Sequence, residues 1–200
     1  MTVVAVVPFV GLTGGMGAGK STALSALQRL GASVISSDAV VHELYLESDL
    51  RDAVVERFGA DVAPGGTVDR ALLAERAFAR AQDRAWLEQL LWPMVGARVA
   101  AWLERARALQ PPPRAAVVEV PLLFEAGLEG IYDATIAVVS AEALRRERAA
   151  RRGHALVQER DSRQLTQEQK AARATFVVRN DGTEEQLERE LSSVLGKLGR

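Results

Sequence analysis

A chain of 200 residues with 48% hydrophobic and 26% charged residues has ordinary globular composition and room for a sizeable core, which excludes a disordered polymer. Its net charge of -1 excludes a global positive field that would recruit nucleic acid or an anionic membrane. With no cysteine, it cannot form disulfides, thiolate metal sites or a cysteine nucleophile.

Residues 3–12 are rich in valine and read as a first strand. Pro8 cannot donate to a central ladder, so the paired part is expected at residues 9–13. This opening is apolar but short and lacks a basic flank, so a strand explains it better than a signal peptide. Residues 19–30 follow as a helix with Ala23, Leu24, Leu27 and Leu30 on one face, stopped by Gly31. Residues 33–36 read as a short second strand ending at Asp38. Residues 50–109 are mostly helical and hold no strong strand, as an insertion between strands would. Within them Pro93 is expected to open a helix, where a missing N–H costs nothing. Pro111, Pro112 and Pro113 close the region as an extended linker.

Residues 115–120, 134–139 and 176–179 supply three more strands, the first apolar on both faces as a central parallel strand should be. Between the last two runs a strongly basic helical stretch, residues 144–164. Thr183 and Gln186 form a capping box for a final helix whose buried stripe is Leu187, Leu191, Val194, Leu195 and Leu198. Strands alternating with helices predict an α/β fold: a five-stranded parallel sheet with helices on both faces. No apolar run approaches the roughly 20 residues of a membrane helix, and a cytoplasmic protein is the expectation.

Gly14-Gly15-Met16-Gly17-Ala18-Gly19-Lys20-Ser21 matches the phosphate-loop pattern of Gly, four residues, Gly, Lys, then Ser or Thr. Glycines let such a loop bend with positive φ and turn successive N–H groups inward. The helix that follows adds the partial positive charge of its N-terminus. Gly15, Gly17, Ala18 and Gly19 are therefore candidate ATP-binding residues. Lys20 is expected on the β- and γ-phosphates, Ser21 on Mg²⁺, and Thr22 at the α-phosphate. The motif follows an apolar strand and opens a helix with an apolar stripe, which is the context it requires. The alternative is a glycine-rich turn that binds nothing.

Asp38 stands where ligands gather in an open parallel sheet, at a strand's C-terminal end. It can accept a proton from an acceptor hydroxyl, or it can cap the helix that carries Val40, Val41 and Leu44. Glu119 closes the third strand and is either an outer partner of the Mg²⁺ shell or an acid paired with an arginine. Pro121-Leu122-Leu123-Phe124-Glu125 reads on its own as a hydrophobic loop. In the basic stretch, Arg148 with Arg151 or Arg152 are candidates to clamp the transferring phosphoryl group from a mobile lid. Arg145 and Arg146 read as a solvated helix face, and His42 and His154 as isolated surface residues.

Together these segments resemble one family, dephospho-coenzyme A kinase. The resemblance rests on residues 11–22, on Val34-Ile35-Ser36-Ser37-Asp38, and on Phe58-Gly59 with Val68-Asp69-Arg70. It continues through Val120 and the Pro121–Glu125 run to Phe176-Val177-Val178-Arg179-Asn180-Asp181-Gly182, in order over nearly the whole chain. It implies transfer of the γ-phosphate of ATP to the ribose 3′-hydroxyl of dephospho-coenzyme A, with Mg²⁺ as cofactor. It implies Asp38 as general base, with Lys20 and Arg148 as its catalytic companions. Arg148, Arg152 and Asn180 would lie at ATP. Arg70, Pro121, Leu122, Leu123, Phe124 and Glu125 would lie at the acceptor with Asp38. One P-loop kinase domain over residues 1–200 would divide into a core at about 1–49, 114–140 and 170–200, a helical acceptor region at about 50–112, and a lid at about 141–169. The implied partners are small molecules only, for a monomer or small homo-oligomer.

The chain departs from the family at several places. Ser36 replaces a frequent aspartate, so Asp38 must act alone there; Trp92 replaces a frequent histidine, Glu119 a common aspartate, and Thr175 another. A nucleoside monophosphate-type kinase would share fold, loop and lid. A nucleotide switch or transport ATPase would carry signatures that are missing here.

Overall fold

Strands form in this chain where short apolar runs are buried on both faces, and the most buried of them stand at the middle of the sheet. The computed structural model describes residues 6–151 and 164–199. β1 (Phe9–Gly14), β3 (Ala116–Glu119) and β4 (Ala134–Val139) are buried almost throughout, while β2 (Ser33–Ser36) and β5 (Phe176–Arg179) are less so. The sheet order is β2-β3-β1-β4-β5 and every pairing is parallel. β1 is therefore central, and the strand order turns back around it, the place where open α/β sheets bind ligands beyond their strand ends.

One face of the sheet is covered by α1 (Lys20–Arg29) and by the last helix, Glu184–Leu198. Ala23, Ala26 and Leu27 of α1 meet Leu187, Leu191, Val194 and Leu195 over Val10, Leu12, Ile136 and Val178. Leu27 is fully buried, so Leu27→Ala would cost about 2–5 kcal/mol in lost transfer energy and cavity. Gly31 takes a φ of 89° just after α1, a left-handed turn that lets the chain leave the helix and enter β2. Thr183 caps the last helix through the expected box with Gln186.

The described chain divides into two compact units: Ser37–Trp102, and the chain on either side of it. The first-named unit holds α2 (Ser37–Leu44), α3 (Ser48–Phe58), α4 (Arg70–Ala79) and most of α5 (Ala81–Arg107). Its interior includes Val40, Leu44, Leu50, Val54, Leu73 and Ala77. It contains helices and 3-10 turns and takes in α2, ahead of the expected start near residue 50.

Pro93 does not open a helix, as the sequence suggested; it lies inside the long α5. The ring removes one N–H, which leaves the carbonyl of Gln89 without its helical donor. Both Pro93 and Gln89 are exposed, so water can take that carbonyl and the helix continues. Asp38 does not end a strand either. β2 stops at Ser36, and Asp38 sits in the first turn of α2, where a carboxylate is favoured by the helix dipole.

After β4 come α6 (Glu142–Arg151) and α7 (Gln167–Arg173), leaving Glu184–Leu198 as α8. The expected basic stretch begins in α6. Arg152, His154, Arg160 and Arg163 lie outside the described residues, as do residues 152–163 of the expected lid as a whole.

Candidate nucleotide site

β1 delivers the chain at Gly14 and α1 collects it at Lys20, so the loop between them spans the end of the central strand. Gly17 and Gly19 have φ values of 72° and 90°, which only glycine adopts without strain. Space is also short. A Cβ on Gly14 would stand 2.5 Å from the carbonyl oxygen of Val138, and one on Gly19 would collide with the Asn180 amide. The Ala18 N–H closes a turn onto the Gly15 carbonyl at 3.2 Å, and Gly19 accepts the first helical bond from Ala23 at 3.0 Å.

The loop is braced from several sides. Lys20 Nζ donates to the carbonyls of Gly14 at 3.1 Å and Gly15 at 3.4 Å. Asn180, buried at the end of β5, donates its side-chain amide to the Ala18 carbonyl at 2.9 Å. The Asn180 carbonyl in turn accepts from Ser140 Oγ at 3.0 Å and from Arg148 at 3.1 Å. Arg148 thus stands one residue removed from the loop, with its guanidinium also on Ser140 Oγ at 3.2 Å. Asp181 Oδ1 accepts the N–H of Ala141 at 2.6 Å, which ties the Asn-Asp-Gly segment to the start of α6.

Arg145 corrects the sequence reading. It is not a solvated residue: its Nε donates to the Met16 carbonyl at 2.9 Å, and its guanidinium covers Gly15. Its own carbonyl packs against Gly17, which leaves no room there for a side chain. Arg146 is exposed and pairs with Glu142, as a surface residue should.

Ser21 is exposed in the first turn of α1, and Thr22 follows it half-buried. Glu119 is 8% exposed at the C-terminal end of β3, in register with Leu12 of β1. Of the run that follows, Leu123 and Phe124 are buried in packing and Leu122 is exposed. The Pro121 carbonyl accepts from Thr13 Oγ1 at 3.2 Å and from Lys170 Nζ at 2.6 Å. Glu125 directs Oε1 onto Lys170 at 2.9 Å and onto the N–H of Leu165 at 2.8 Å. Lys170 is wholly buried, and the sequence reading missed it. Burial pulls its ammonium below the ordinary lysine range, while the hydrogen bond and charge of Glu125 push it back up.

In the helical unit, Asp38 is exposed, and His42 lies one helical turn further along α2. The Arg70 guanidinium reaches His42 Nδ1 at 3.0 Å, so His42 is not isolated. Arg70 opens α4, where Asp69 caps the helix by accepting from Ala71 at 2.8 Å and Leu72 at 3.1 Å. Burial raises the phenol of Tyr45 in this unit, and the charge of Arg70 partly offsets it. Trp92 is 60% exposed on α5. Among the described residues, no group of three or more His, Asp or Glu side chains is placed to hold a metal ion, and no helix is long and apolar enough to cross a membrane.

Comparison with known proteins agrees with this picture. The dephospho-CoA kinase family profile matches residues 8–186. A dephospho-CoA kinase of Deinococcus radiodurans is 40% identical over 191 residues, covering 94% of this chain and 91% of the relative. One from Anaeromyxobacter dehalogenans is 38% identical over 200 residues, covering 96% and 94%. A crystal structure of a Thermus thermophilus protein superposes with a TM-score of 0.83 at 33% identity, covering 96% of this chain and 99% of the other. With the loop, the sheet order and these relatives in agreement, the chain belongs to the dephospho-CoA kinase family.

Proposed function

We propose that this chain moves the γ-phosphate of ATP to the ribose 3′-hydroxyl of dephospho-coenzyme A, giving coenzyme A and ADP. The observation that carries the reading is the braced glycine loop at the end of the central strand, in a chain matched to this family over residues 8–186.

Phosphoryl transfer asks the protein for position and charge rather than covalent chemistry. Loop amides from Gly15 to Thr22 and the N-terminus of α1 hold the phosphates. Lys20, resting on the Gly14 and Gly15 carbonyls, exchanges them for phosphate oxygens when ATP enters. Arg148 and Arg152 neutralise charge on the group in flight. Asn180 keeps the loop in shape beside the nucleotide.

Asp38 accepts the proton of the acceptor hydroxyl as its oxygen bonds to phosphorus and the bond to ADP breaks. An exposed carboxylate at a helix start is reachable by such a hydroxyl. Arg70, on the same unit, offers positive charge to an acceptor that carries phosphates. Of the Pro121–Glu125 run, the exposed Leu122 borders the acceptor, while Leu123 and Phe124 serve as packing and Glu125 is engaged by Lys170 and Leu165.

The donor set fits magnesium. A hydroxyl at Ser21 and a carboxylate at Glu119 are hard oxygen ligands, and magnesium completes its shell with phosphate oxygens and water. Ser21 would bind the ion directly and Glu119 through its water shell; the ion would offset charge on the phosphates.

The test is an acceptor panel. ATP and Mg²⁺ are incubated with dephospho-coenzyme A, AMP, CMP or uridine in turn. Phosphate should appear on dephospho-coenzyme A and not on the others. Transfer to AMP or CMP instead would replace this reading with a nucleoside monophosphate kinase.

A further inference from the structure

Lys170 is the largest of the fully buried side chains. An ammonium has three N–H donors and is costly to bury unless all are used. Here Nζ reaches the Pro121 carbonyl at 2.6 Å, Glu125 Oε1 at 2.9 Å and Thr13 Oγ1 at 3.4 Å. Thr13 Oγ1 also donates to the same Pro121 carbonyl. The donors are spoken for, so Lys170 does not touch a phosphate.

What these contacts join is informative. Thr13 is the residue before Gly14, where the phosphate loop departs from β1. Pro121 stands two residues beyond the end of β3. Leu165 and α7 lie where the described chain resumes after the basic stretch. The Glu125 carboxylate bonds both Lys170 and the Leu165 N–H, while its other oxygen is buried with no hydrogen-bond partner among the described residues. A leucine and a methionine would fill this space without that loss, since buried ion pairs seldom outperform apolar packing.

We propose that the Glu125–Lys170 pair is a positioning device for phosphoryl transfer, locking the start of the phosphate loop, the Pro121 turn and the Leu165 segment in one register. The inference rests on the kinase reading above. Neither residue meets the reacting atoms; they act by fixing the backbone that does.

The test compares Glu125→Gln, Lys170→Met and the double variant Lys170→Met with Glu125→Leu. Glu125→Gln keeps shape and removes charge. It should lower kcat on the order of 10–100-fold, as a small misplacement of reacting groups does, with little change in KM for ATP. Lys170→Met should lose both kcat and thermal stability. The double variant removes the stranded charge, so its thermal midpoint should return toward wild type while kcat stays low. Recovery of kcat together with the thermal midpoint would reduce the pair to a stability feature and overturn the proposal. Should the double variant fail to fold, Glu125→Gln decides alone, and unchanged kcat in it overturns the proposal. Wild-type enzyme runs in the same assay. An inactive wild type would sink the kinase reading and this proposal with it, whereas an active wild type with unaffected variants sinks only the proposal.

Discussion

In and around the phosphate loop, charged side chains end on backbone carbonyls: Lys20 on Gly14 and Gly15, Arg145 on Met16, Arg148 on Asn180. In the helical unit several end on one another at the surface, as Arg98 does on Glu47, and Arg76 on Asp61 as well as on the Phe58 carbonyl. A site that binds through its main chain must have that main chain held still before the ligand arrives. A site that binds through exposed side chains needs only a helix to stand them on. On the proposed function, the contrast separates what each unit would contribute: a preformed cradle for a triphosphate, and an open set of side chains, Asp38 and Arg70 among them, for an acceptor.

Substitutions can break the contrast. Lys20→Ala should have the largest effect, lowering kcat about 10²–10³-fold or more by removing transition-state charge, as steady-state turnover would show. Asp38→Asn should lower kcat about 10²-fold, with ATP affinity intact by calorimetry, because the proposed function makes Asp38 a base for the acceptor and not a contact of ATP. Loss of ATP binding in that variant would place Asp38 on the wrong side of the comparison.

Arg145→Ala tests the brace rather than the chemistry. ATP binding should weaken roughly tenfold, the order of one charge-assisted hydrogen bond, and kcat at saturating ATP should change less. Asp61→Ala should matter least. It breaks an exposed pair, so the thermal midpoint should move by less than about 4 °C with turnover unchanged.

The same contrast explains what could be read from the sequence. β4 and β5 begin and end where their apolar runs do, and the Thr183–Gln186 cap is a local signal. The phosphate loop is legible because strained main chain demands glycine at fixed spacing. Arg145 was hidden because it sits in a helix crowded with charge, and its partner Met16 is 129 positions away. Periodicity cannot tell which turn of such a helix meets a loop. Lys170 was hidden because a lysine is read as solvated by default. Its helix did announce itself, through the capping box of Thr166 and Gln169. Pro93 misled because the helix-start preference of proline is real, while an exposed proline inside a long helix is also tolerable. Asp38 was placed one element too early because Ser36 and Ser37 do not mark whether strand or helix holds them.

The most direct test is a crystal structure with a non-hydrolysable ATP analogue and dephospho-coenzyme A bound together. The account predicts the triphosphate against residues 14–22 and the Asp38 carboxylate about 2.6–3.2 Å from the ribose 3′-hydroxyl. A triphosphate bound elsewhere, or an Asp38 turned away from the acceptor's hydroxyls, would contradict it.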